Sequence, residues 1–211
     1  MEATYKHYIL TRYNLVLYSS NPYKVKDKDS WMMHRIKLFK RYLKSLEVQT
    51  NQDFTIVLAL DSKTPKTYLA EIVFLLDMSG LDYELSYDKQ PNKWIEDNKP
   101  DTEWLITTRL DNDDEVKPNF VEVIQKSFSN KTELIDVRGV KVMEGKEYPY
   151  NRTAVGSPFI TLIEKTNQCK TAMFKTHSVM PTLYPHRFAS DEPLFIQHIH
   201  DKNQSNTLIQ G

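Results

Sequence analysis

Asp111, Asn112, Asp113, Asp114 and Glu115 place four carboxylates within five consecutive residues. Such a run repels itself, so folding it is costly unless something cationic neutralises it. A divalent ion would serve. Oxygen donors select hard cations, Mg²⁺ or Mn²⁺, and one histidine among the ligands tilts the choice toward Mn²⁺. Asp111-Asn-Asp113 is also a D-x-D spacing, which is weak by itself in a chain with 28 acidic residues. Its weight comes from the apolar run Trp104–Thr108 just before it, which reads as a buried strand. The acids therefore stand at a strand's C-terminal end, where open parallel sheets bind their ligands.

Three other readings compete. Acids at a helix's first turn favour its macrodipole, and a helix is expected from Pro118, but this accounts for one or two carboxylates and not four. Asp111, Asp113, Glu115 and Glu122 fall on calcium-loop positions, yet Val116 stands where that loop's sharp turn requires glycine. A phosphohydrolase with a nucleophilic strand-end aspartate shares the D-x-D. Glu115 occupies the position where such enzymes carry a small hydroxyl or β-branched residue, which makes it the weaker alternative.

The elements that must position this cluster alternate in type. Tyr5–Leu10 reads as a strand ending in polar Thr11-Arg12, and Ser19–Ser30 as an exposed lysine-rich loop. Ser30 is the expected N-cap of a helix carrying Trp31, Leu38, Phe39, Tyr42, Leu43 and Leu46. The basic residues of that helix, from His34 to Lys44, read as its solvated face. Phe54–Leu60 is nearly continuous in apolar character, as for a parallel strand buried on both sides, and Asp61–Pro65 turns the chain into a helix over Lys66–Leu76. Leu81–Tyr87 gives a third strand and Trp104–Thr108 a fourth, with a helix over Asn119–Phe128. Beyond it, Leu134–Val137, Val140–Met143, Phe159–Glu164 and Ala172–Lys175 read as short strands, and Glu192–Gln197 as a short helix. Strand–helix alternation followed by short strands predicts an α/β fold with a mostly parallel central sheet, flanking helices and a mixed C-terminal half.

Composition narrows the classes. With 40% hydrophobic and 27% charged residues, the chain has the make-up of a soluble globular domain. Its 28 basic and 28 acidic residues cancel, which argues against nucleic acid or an anionic membrane as partner. Cys169 is the single cysteine, so no internal disulfide can form. The N-terminus lacks the apolar stretch of a signal peptide, and no apolar run is long enough to span a bilayer, so a cytoplasmic location is expected. No P-loop pattern or nucleophile elbow is present, and with 5 glycines there is little room for one. The polar ending after Asp201 is consistent with further domains following in a longer protein.

Leu10-Thr-Arg-Tyr-Asn14, Trp31–Arg35, Val48-Gln-Thr50, Asp61–Pro65 and above all Thr107-Thr-Arg-Leu-Asp-Asn-Asp-Asp114 resemble the rhamnosyltransferase family of GT-A enzymes, from Thr11 to the Asn203 region. That resemblance implies one GT-A domain over residues 1–211, with a nucleotide-binding half of about 1–115 and an acceptor half of about 116–211. It also implies a nucleotide-diphosphate sugar donor, such as UDP-rhamnose or UDP-glucose, a glycan acceptor and a Mn²⁺ or Mg²⁺ ion. Thr11 and Arg12 would line the nucleotide pocket, Asp61 would accept hydrogen bonds from the base, and Arg109 and Asn112 would complete the pocket. Asp111 would face the ribose or metal, Asp113 would ligate the metal, and His200 would complete the metal site, with His198 second to it. Asp191, then Glu192, is the candidate carboxylate beside the acceptor hydroxyl, although both could simply cap the helix expected there. Trp94, Tyr148, Tyr150, Tyr184 and His177 are candidates for an acceptor cleft. A nucleotidyltransferase and a non-catalytic sugar-binding module remain the rival functions.

Overall fold

The computed structural model describes residues 4–22, 24–88, 91–150 and 155–199. Its N-terminal half is β1 (Tyr5–Arg12), α1 (Lys28–Glu47), β2 (Thr55–Ala59), α2 (Lys66–Ser79), β3 (Tyr83–Ser86), α3 (Pro91–Asp97) and β4 (Trp104–Arg109). The strands β3, β2, β1 and β4 lie side by side in that order, all parallel. The sheet then becomes mixed. β5 (Glu115–Val116), α4 (Phe120–Lys126), β6 (Glu133–Met143), β7 (Lys146–Pro149), β8 (Thr161–Lys165), α5 (Met180–Leu183) and β9 (His186–Ile199) complete the chain. β8 pairs antiparallel with β4, β6 antiparallel with β8, β9 parallel with β6, and β5 antiparallel with β9.

Period-two alternation explains how the central strands are covered. Ile9 of β1 joins the large cluster with Phe39, Leu43, Ile56 and Ile106 beneath the helices, while its neighbours Tyr8 and Leu10 face the opposite cluster with Val57, Leu105 and Ile95 of α3. Every residue of β2 and β4 is buried, as the nearly continuous apolar run of β2 leads one to expect, and in β4 this includes Thr107, Thr108 and Arg109. On α1, Met32, Ile36, Phe39, Leu43 and Leu46 recur at three- and four-residue spacing and are all buried. Among the described residues, no helix is long and apolar enough to cross a membrane.

Several local expectations are corrected. α1 starts earlier than Ser30: Asp27 is its N-cap, its carboxylate accepting the Ser30 N–H at 2.9 Å. The two short strands expected over 134–143 are one strand, β6, interrupted by register shifts around Arg138. Ala172–Lys175 is not a strand. Cys169 and Thr171 adopt positive φ (49° and 66°), and the Glu164 carboxylate accepts the backbone N–H groups of Lys170 and Thr171. Glu192–Gln197 is not a helix either but the centre of β9, so Asp191 and Glu192 cap nothing. Pairing with β6 and burial of Leu194 and Phe195 override the local preference there.

Phe195 stacks on Phe159 with ring centroids 3.9 Å apart and lies over Gly139 of β6. A Cβ on Gly139 would overlap the Phe195 ring. Gly139→Ala is expected to cost about 1–3 kcal/mol of stability or more by overpacking, read as a lowered urea midpoint at unchanged m-value.

Candidate active site

Parallel pairing sets the site. β1 and β4 run in register with Leu10 beside Arg109, and Leu110 N–H continues the ladder to the Leu10 carbonyl at 3.1 Å. Their C-terminal ends therefore emerge together, which brings Arg12 and Asp111 into contact. Arg12 Nη2 lies 3.3 Å from Asp111 Oδ1, and Arg109 Nη2 lies 3.5 Å from Asp111 Oδ2. Burial lowers the Arg109 pKa, and the adjacent Asp111 carboxylate opposes that shift. Among the described residues, Arg109 Nε and Asn112 Nδ2 are buried without a hydrogen-bond partner. Both are donors of residues at the acidic loop, and an unpaired buried donor is costly unless a ligand takes it.

Asp113 and Glu115 are paired with arginines of α1. Arg35 Nη1 lies 2.6 Å from Asp113 Oδ2, with both side chains over 90% buried, and the same nitrogen donates to Asn112 Oδ1 at 3.2 Å. Arg41 donates from Nη2 to the Asp113 carbonyl at 3.0 Å, and its Nε lies 3.0 Å from Glu115 Oε1. The basic run of α1 is thus not only a solvated face: it aims two guanidiniums at the acidic loop. Sequence reasoning missed both, although the WMMHR stretch that carries the family resemblance contains Arg35.

The loop's far side is held by β9. The His198 backbone N–H donates to Asp114 Oδ1 at 2.8 Å, and His198 Nε2 lies 2.6 Å from Glu115 Oε1. Burial, followed by the neighbouring Asp113 charge, raises the Asp114 pKa well above the usual carboxylate range.

Other expected site residues take different places. Thr11 is fully buried, its hydroxyl 2.7 Å from that of Tyr42. Asp61 is buried at the end of β2. Its Oδ2 accepts the backbone N–H groups of Tyr18 and Ser19 and the Ser19 hydroxyl, and Oδ1 accepts the Lys63 N–H. Burial pushes this carboxyl up, but those hydrogen bonds outweigh it and hold the group below its ordinary value. Asp61 thereby fastens the loop after β1 to the end of β2. Asp191 is 95% exposed and pairs with Arg138 at 3.2 Å; among the described residues, no hydrogen bond or ion pair joins it or Glu192 to the Asp111 cluster. His200 lies outside the described residues. Trp94 packs edge-on against Tyr8 and Tyr150 against Phe195, so both help to fill cores.

Residues 21–211 match the family model described as "Putative rhamnosyl transferase". The chain belongs to that family. Two crystal structures of S. aureus TarS, a glycosyltransferase, share the fold of this rhamnosyl transferase family member. The 1–349 form superposes with a TM-score of 0.55 at 16% identity over 92% of this chain and 60% of the TarS chain. The longer form gives 0.54 at 14% identity, over 92% of this chain and 37% of that one. The chain thus spans 60% and 37% of the lengths of these two neighbours. No curated protein matches it in sequence. The α/β architecture, with its parallel N-terminal strands, is the GT-A fold expected from the sequence.

Proposed function

We propose that the chain is a metal-assisted glycosyltransferase that moves a sugar from a nucleotide-diphosphate donor, a UDP-sugar such as UDP-rhamnose or UDP-glucose, to a saccharide acceptor. The observation that supports it best is the pair of guanidiniums, Arg12 and Arg109, closed around Asp111 where β1 and β4 end together. Guanidiniums present planar forks that suit phosphate oxygens, and Arg109 Nε and Asn112 Nδ2 add donors that no described protein group uses. Negative charge grows on the diphosphate as the sugar–phosphate bond breaks, so cations already fixed in place stabilise the transition state more than the ground state.

The carboxylates also suit a hard cation. Among the described residues, no three His, Cys, Asp or Glu side chains converge into a ready-made cage. Mg²⁺ and Mn²⁺ sites in such enzymes, however, need only one or two carboxylates, with phosphates and water completing the shell. Asp111, its side chain 29% exposed, offers accessible oxygens, and Asp113 would share its carboxylate between Arg35 and the ion. When bound, the ion would neutralise charge on the leaving diphosphate. Asp191, exposed on β9, remains the carboxylate proposed for the acceptor side.

Isothermal titration with UDP, GDP, dTDP and CDP, each with and without Mn²⁺, tests this reading. Tight binding of one nucleotide, dependent on Mn²⁺ and at least tenfold weaker in Asp111→Asn and Asp113→Asn, is expected. No binding to any of the four with metal present would sink the proposal. Release of pyrophosphate in place of a nucleoside diphosphate during turnover would assign the site to a nucleotidyltransferase.

A further inference from the structure

His177 lies in the irregular stretch between β8 and α5, and its ring closes a chain of polar groups running out from a buried carboxylate. Asp136 of β6 is fully buried and accepts the Gly156 N–H on Oδ2 at 2.6 Å, with the Val137 and Ser157 N–H groups on Oδ1 at 2.8 and 3.2 Å. The carbonyl of that same glycine lies 2.5 Å from His177 Nδ1. A carbonyl can only accept, so Nδ1 carries the proton and Nε2 is left as an acceptor. The Gly156–Ser157 peptide thus links imidazole to carboxylate, its carbonyl on His177 and its Ser157 N–H on Asp136. Position 156 needs glycine for this: its φ is +84°, and a Cβ there would lie 2.6 Å from the His177 carbonyl oxygen.

The ring belongs to the neighbourhood of the donor site. Burial lowers the His177 pKa, the Gly156 carbonyl opposes this, and the charges of Arg109, Asp111 and Asp136 all reach the ring. The Gly156 carbonyl that holds the ring opens the stretch running to Ile160, whose own carbonyl accepts the Arg109 N–H at 3.0 Å at the end of β4. The ring's segment also exposes Phe174, Val179 and Leu183, apolar surface of the kind that packs against the C–H face of a sugar.

We propose that His177 Nε2 accepts the hydrogen bond of the acceptor sugar's hydroxyl and takes its proton during transfer. The hydroxyl oxygen forms a bond to the donor's anomeric carbon. The bond from that carbon to the phosphate oxygen breaks, and its electron pair leaves with the diphosphate. The proton ends on Nε2, and the resulting imidazolium is stabilised through Nδ1–H, the Gly156–Ser157 peptide and Asp136. This rests on the transferase reading above and deepens its acceptor side.

The test is His177→Asn, whose amide keeps a donor to the Gly156 carbonyl but has no basic nitrogen, run beside Asp191→Asn. The readouts are thermal midpoint, affinity for the nucleoside diphosphate with Mn²⁺, and transfer from its sugar donor to a panel of methyl glycosides. With folding and nucleotide affinity unchanged, transfer is expected to fall at least ~100-fold, within the usual range for loss of a general base. The acid limb of the wild-type kcat/KM profile should disappear with it. Long-range ¹H–¹⁵N spectra should show a protonated Nδ1, with the bare Nε2 resonance moving on addition of the methyl glycoside. Transfer reduced less than about threefold, transfer lost only in Asp191→Asn, or an Nε2 that carries the proton would overturn the assignment while leaving nucleotide binding intact. Loss of nucleotide binding in the wild-type protein would instead remove the transferase reading itself.

Discussion

Arg35→Met is expected to lower the free energy of unfolding by about 3–5 kcal/mol, the range for breaking one side of a buried ion pair. The methionine fills much of the same volume, so the loss comes from charge and not from a cavity. Asp113 is left with its carboxylate inside the protein and without the guanidinium at 2.6 Å, and Asn112 loses the donor to its Oδ1. Urea titration of wild type, Arg35→Met, Asp113→Asn and the double variant measures the coupling. The double variant should recover part of the single-variant loss, because removing both charges leaves none stranded. A single-variant loss below about 1 kcal/mol would mean that water reaches Asp113 and that the arginine does not hold the loop. Mn²⁺ offers an independent readout: a cation should stabilise Arg35→Met more than wild type, since it supplies the charge that the variant lacks.

Lowering the pH from 6.5 to 4.5 should cost the wild-type protein about 2–3 kcal/mol through His7 alone, counting 1.36 kcal/mol per pH unit. This histidine is buried between β1, β4 and α4. Its Nε2 lies 2.8 Å from the Thr108 hydroxyl, which lies 2.7 Å from that of Thr161, and Gln125 Nε2 approaches Nδ1 at 3.4 Å. Burial, with a smaller contribution from Lys6, pushes its pKa down to about 3 from the ordinary 6.5. The unfolded chain takes up a proton near 6.5 and the folded one resists until about 3. The stabilisation is therefore complete above 6.5 and drains away as pH falls through that window. Other groups titrate in the same range, so the diagnostic quantity is the difference between wild type and His7→Leu. That difference in unfolding free energy should shrink by this amount between pH 6.5 and 4.5. Parallel pH profiles for the two proteins would show that the ring is not held neutral.

The features legible in the sequence are those determined over short stretches. Phe54–Leu60 has too few polar residues to be anything but a strand covered on both faces, and β2 is fully buried. The strand–acid junction at Arg109–Asp111 is likewise local, so the position of the cluster followed from the sequence. What neutralises the cluster did not. Arg35 and Asn112 are 77 residues apart, and Arg41 and Asp113 are 72 apart. A basic helix face has the same pattern whether it meets water or another loop. β9 was misread for a related reason: Glu-Pro-Leu-Phe-Ile-Gln is a short apolar run whose periodicity cannot separate helix from strand, and its pairing with β6 decides the matter from about fifty residues away. The His177–Gly156–Asp136 chain has no sequence signature at all, because both of its links are made to backbone groups.

The way β9 closes the acidic loop also sets an order of assembly during synthesis. Asp114 receives its backbone donor from His198, 84 residues later in the chain, and β5 finds its partner in Phe195 and Ile196. A nascent chain halted before β9 would already contain every acid of the cluster, yet Asp114 and β5 would lack these partners. The parallel strands can pair early, since β1, β2, β3 and β4 need nothing beyond residue 109 to pair with one another. The acidic loop would then be completed last, at the step with the greatest loop-closure cost. A polypeptide released too soon would carry the parallel strands without a finished acidic loop.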